Sequence, residues 1–80
     1  MPERIIRFPE VRKLSGLSRS TIYLRIREGL FPKPIQLGPR MVGWPETDIA
    51  ELNAARIRGA GDDEIRSLVA KLEAARKRAA

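Results

Sequence analysis

Four prolines, at positions 32, 34, 39 and 45, crowd the middle of this chain, with Gly29, Gly38 and Gly43 set among them. Each proline lacks a backbone N–H and fixes φ at about −65°, so no helix can run through "LFPKPIQLGPRMVGWPE". The chain must fold as helices on either side of a non-helical centre. Pro32 and Pro34 hold Lys33 extended. Beyond them, "IQL" and "MVGW" flank "GPR", the pattern of a β-hairpin with a tight turn at residues 38–40.

The same punctuation sets the helix limits. In "PEVRKLSG", Pro9 suits the first helical position, Glu10 lies near the positive end of the macrodipole, and Gly16 ends the helix. Val11 and Leu14 are expected to face inward. Ser18 is the natural N-cap of the next helix, its hydroxyl accepting from the N–H of Ser20 or Thr21. Leu17 and Ile22 occupy the two positions of a hydrophobic staple, and Gly29 supplies the stop. A helix over 18–28, following the first after a turn of about three residues, makes a helix-turn-helix.

Pro45 restarts a helix, with Glu46 and Asp48 favourably placed at its start. Ile49, Leu52 and Ile57 are expected to form its inner face, and Trp44 to be a core residue rather than a stacking platform. At the N-terminus "ERIIRF" alternates weakly, as a short strand or an ordered arm. "GAG" at 59–61 breaks the chain again. A last helix over 62–80 opens on Asp62, Asp63 and Glu64, closes on Arg76, Lys77 and Arg78, and carries a stripe of Ile65, Leu68, Val69 and Leu72. The expected architecture is mainly α with a small β-hairpin. It comprises a winged helix-turn-helix over 1–58, a glycine break at 59–61 and an amphipathic C-terminal helix over 62–80.

With neither cysteine nor histidine, the chain cannot build a disulfide, a thiolate or imidazole metal site, or a nucleophile–histidine pair. No catalytic residues, cofactor or small-molecule substrate are expected. The longest uncharged stretch is the six residues 34–39, too short for a membrane span or a signal-peptide core. A soluble cytoplasmic protein is the expectation.

Charge gives the positive signal. Residues 1–45 hold nine Lys/Arg against three acids, whereas residues 46–80 hold seven of each, so the net +6 lies entirely in the first half. A polyanionic partner for one face follows from that asymmetry. On the second helix Ile22 and Ile26 share the inward face. Ser20, Leu24 and Arg27 fall opposite, Thr21 and Arg25 on one flank, Arg19 and Tyr23 on the other. Hydroxyls beside free N–H groups and guanidiniums along the outer surface are what a helix entering the major groove requires. Lys33 and Arg40 extend that surface into the hairpin. Tyr23 also has a plain reading, as a core aromatic with its hydroxyl at the rim.

Taken together, "GLSRSTIY", "EGLFPKP" and "LGPRMVGWPETDI" resemble the AlpA family of prophage and integrative-element regulators. More broadly they are similar to the winged-helix domains of excisionases and MerR-type regulators. The resemblance covers residues 7–52. It implies a small winged helix-turn-helix that binds double-stranded DNA and regulates transcription. It places Ser20, Thr21 and Tyr23 on the DNA-facing part of the recognition helix and Arg40 in the wing. Family members often carry a basic residue directly after the tyrosine, where this chain has Leu24 followed by Arg25. Two other functions fit the same residues: an excisionase-like factor that bends DNA, and an interaction module acting through the last helix. That helix either packs back on its own domain or pairs with a second copy through Ile65, Leu68, Val69 and Leu72.

Overall fold

A computed structural model describes residues 4–78. Glu3, at the edge of the expected N-terminal strand, and residues 79 and 80, at the end of the expected last helix, lie outside the described residues. The elements run β1 (Ile5–Ile6), α1 (Phe8–Ser15), α2 (Arg19–Arg27), β2 (Ile35–Gly38), β3 (Met41–Pro45), α3 (Glu46–Ile57) and α4 (Asp62–Arg78). This is the mainly α, winged helix-turn-helix arrangement expected, with the N-terminal segment realised as a strand. None of the described helices is long and apolar enough to cross a membrane.

Local chemistry accounts for the helix ends. Gly16 takes φ 73° and donates its N–H back to the Arg12 carbonyl, closing α1. Ser18 caps α2, accepting specifically from the Thr21 N–H at 3.3 Å. At the far end Gly29 (φ 77°) and Leu30 donate to the carbonyls of Ile26 and Arg25, a Schellman closure.

β2 and β3 form the hairpin, with Pro39 and Arg40 at the turn and an irregularity between Gln36 and Gly38. β1 pairs antiparallel with the other edge of β3, so the sheet order is β1-β3-β2 and β3 is central. Beneath the sheet and helices lies one apolar core that includes Ile6, Val11, Ile22, Trp44, Ile49 and Ile65. Trp44 is fully buried, meets Phe8 and Phe31 edge-on at centroid distances of 5.2 and 6.0 Å, and donates from Nε1 to the Pro32 carbonyl at 2.8 Å.

Two expectations about packing are corrected, and a third allowed two alternatives. Leu14 is 46% exposed, because it borders an open hollow beside α3, with Glu46, Thr47, Ile49, Ala50 and Asn53 around it, instead of the core. Ile57 is 87% exposed, and Ala55 is buried in its place. At about 100° per residue, Ile57 falls roughly 150° from the centre of the face formed by Asp48, Ile49, Leu52 and Ala55. The α4 stripe is engaged within the chain: Ile65 and Val69 are buried in the shared core and Leu68 packs against it. Of the two arrangements expected for α4, packing back on its own domain is the one Ile65, Leu68 and Val69 take. A core this small is left incomplete by the six elements before α4, and the nearest apolar stripe closes it.

Candidate nucleic-acid interface

α2 buries Ile22, packs Ile26 against the core, and leaves Ser20, Leu24 and Arg27 exposed. Its N-terminal end is organised by hydroxyls. Ser18 Oγ lies 2.8 Å from Thr21 Oγ1 and 3.4 Å from Ser20 Oγ. The arrangement holds a cluster of small polar side chains beside the free N–H groups of the first turn.

The flank with Arg19 and Tyr23 rests on a residue that sequence reasoning passed over. Phe8, at the start of α1, contacts the Tyr23 ring at 5.4 Å, and the Arg19 guanidinium sits 4.8 Å above the Phe8 ring. Such a cation–π contact contributes about 0.5–1 kcal/mol at an exposed site and restricts the arginine to one direction. Because Phe8 also meets Trp44 of β3, α2 and the hairpin are braced by one aromatic cluster. The Tyr23 ring packs on Phe8, yet the residue is still 46% exposed.

Arg25 lies elsewhere. It borders a small cavity of about 170 Å³ between α2 and α3, along with Leu30, Phe31, Leu52 and Arg56. Lys33 is exposed in the segment leading to β2, and Arg40 is exposed at the hairpin turn. Two further cations join the site. Arg12 and Lys13, at the end of α1, line an open groove with Gly16, Leu17 and Ser18, directly at the start of α2. Their position just ahead of the turn was the available signal.

Ion pairing divides the cations sharply. Among the described residues, Arg56, Arg58, Arg66 and Arg76 each form a salt bridge to an acid. Arg12, Lys13, Arg19, Arg25, Arg27, Lys33 and Arg40 form none there, although Arg4 bridges Glu10 and Glu46. The surplus charge of the first half is thus not neutralised within the fold. It is presented by α1's end, α2 and the segment from Lys33 to Arg40; among the described residues Arg7, ahead of α1, and Lys71 and Lys77 of α4 also lie outside such pairs.

A sequence profile for the family described as "Prophage CP4-57 regulatory protein (AlpA)" matches residues 4–57. The chain is 49% identical over 57 residues to "Uncharacterized protein ORF88" of Enterobacteria phage P4, covering 71% of this chain. The match spans 65% of that phage protein's own length. It is 36% identical over 61 residues to "DNA-binding transcriptional activator AlpA" of Escherichia coli (strain K12), covering 69% of this chain and 87% of that protein. No solved structure matches the chain.

Proposed function

The chain belongs to the family of prophage CP4-57 regulatory proteins (AlpA), and on that premise we propose that it is a sequence-specific transcriptional regulator acting on double-stranded DNA. α2 enters the major groove, and the β2–β3 hairpin lies on the backbone or in the minor groove. The observation that carries this reading is that Arg12, Lys13, Arg19, Arg25, Arg27, Lys33 and Arg40, spread over α1's end, α2 and the hairpin with its lead-in, form no salt bridge among the described residues. The Escherichia coli relative, a DNA-binding transcriptional activator by name, supports it.

Roles follow from chemistry. Arg12, Lys13, Lys33 and Arg40 meet phosphates, which supply most of the affinity and none of the sequence information. Ser20, Thr21 and Leu24 face base edges, Leu24 suiting a thymine methyl group. Arg19 and Tyr23, steadied by Phe8, and Arg27 reach the groove wall or a guanine edge. Arg25 holds the flanking backbone on the α3 side.

Selection of bound duplexes from a random pool tests the proposal. A common motif is expected for the wild-type chain, and a changed motif for Ser20→Ala or Thr21→Ala. Recovery of unrelated sequences, or of the same motif from every variant, would remove α2 from the reading role.

A further inference from the structure

Lys33 sits between two prolines in a segment that belongs to no helix or strand, so its backbone has no ladder to join. Side chains satisfy it instead. The Pro32–Lys33 peptide gives its carbonyl to Trp44 Nε1 at 2.8 Å and its N–H to Glu73 Oε2 at 2.8 Å. The Lys33 carbonyl accepts from Arg76 Nη1 at 2.7 Å, and Pro34 has no N–H to place. Every hydrogen-bonding group of these two peptide units is therefore held.

Two of the three holders lie on α4, beyond residue 57 where the family match ends. Arg76 is itself fixed by Nη2 on Asp48 Oδ2 at 2.8 Å, a pair whose side chains are only 21% and 8% exposed. Its Nε is buried without an acceptor among the described residues. A helix end serving packing alone has no need of that arrangement, which spends both outer nitrogens of the guanidinium on Asp48 and the Lys33 carbonyl. The Lys33 side chain, in contrast, is exposed and forms no salt bridge among the described residues.

We propose that Glu73 and Arg76 are positioning residues for DNA binding: α4 clamps the backbone at Lys33 so that its ammonium is set for the phosphate backbone before the duplex arrives. This rests on the DNA-binding reading above. A cation on a held backbone loses less freedom on binding than one on a mobile segment. The last helix thus contributes to DNA affinity without touching DNA.

Glu73 gives the cleaner test, since removing Arg76 takes an ion-pair partner from the buried Asp48 carboxylate and endangers the fold. Glu73→Ala and Glu73→Gln both delete one negative charge, which by itself favours DNA. They differ in that glutamine keeps an oxygen to accept the Lys33 N–H. Binding of the 80-residue variants to the selected duplex is measured by fluorescence anisotropy over a salt series, with circular dichroism and thermal melts establishing folding at the assay temperature.

Glu73→Ala is expected to weaken binding about 2- to 10-fold despite its gained charge, while Glu73→Gln binds at least as well as wild type. In a Lys33→Ala background, already weaker by about one unit of salt slope, Glu73→Ala should add no further loss. Equal binding by the Ala and Gln variants, or a full additional loss on top of Lys33→Ala, overturns the clamp while leaving DNA binding intact. A wild-type chain that binds no duplex overturns both readings, and that result appears in the first titration.

Discussion

Gly43 occupies the middle of the central strand, where Ile5 and Leu37 reach over it from the two neighbouring strands. A methyl group there would lie 2.7 Å from Ile5 Cγ2, 3.0 Å from Leu37 Cδ1 and 3.0 Å from the Ile6 carbonyl oxygen. Side chains can turn aside, but the carbonyl is backbone of the β1–β3 ladder and moves only if the pairing loosens. Gly43→Ala is therefore expected to destabilise by about 1–3 kcal/mol, read from urea unfolding. Arg40 is the converse case, a side chain with no salt bridge among the described residues and nothing to lose on removal. Arg40→Ala should leave the unfolding midpoint unchanged, weaken binding to all duplexes alike, and flatten the salt dependence by about one unit of slope or less. An unaltered slope would take Arg40 out of the interface.

At the scale of elements, α2 is short and basic, with no acid in its first turn and Arg25 and Arg27 in its last. Its intrinsic stability is slight, and its limits come from its ends. Ser18→Ala removes the acceptor for the Thr21 N–H and a partner of the Thr21 hydroxyl. A loss of about 1 kcal/mol is expected in thermal or denaturant unfolding, with amide exchange rising first in the α2 N-terminal turn. The hairpin shows the complementary strategy. Its own two strands are brief, so Trp44 ties it to α1 through Phe8 and to its own base through the Pro32 carbonyl.

At the scale of the whole molecule, α4 is a structural member of the domain. Ile65 is fully buried in the same cluster as Ile22 and Trp44, and Arg66 donates to the Glu28 carbonyl at the end of α2 at 3.0 Å. The α3–α4 corner is spanned by ion pairs, Arg56–Asp62 and Arg58–Glu64. These are exposed pairs and contribute little, so the apolar closure carries the stability. Ile65→Ala is expected to cost about 2–5 kcal/mol. Unfolding should remain one transition, with helix content and Trp44 fluorescence falling together. A separate early loss of helix signal would mean that α4 docks on an already complete domain.

What the sequence determined by itself was everything set within a few residues: where helices start and stop, where no helix can form, and where the hairpin turns. Prolines, glycines and capping hydroxyls act on their own backbone, so their effect does not wait for the fold. The outward set of α2 was equally legible, because helical spacing with one staple fixes which side faces in. Only the tertiary structure decided that Leu14 and Ile57 stay exposed, that Phe8 carries Arg19 and Tyr23, and that Glu73 and Arg76 hold Lys33. Those outcomes depend on which elements meet in space, up to 43 residues apart in the chain for Arg76 and Lys33, and periodicity names a face without naming what arrives to cover it.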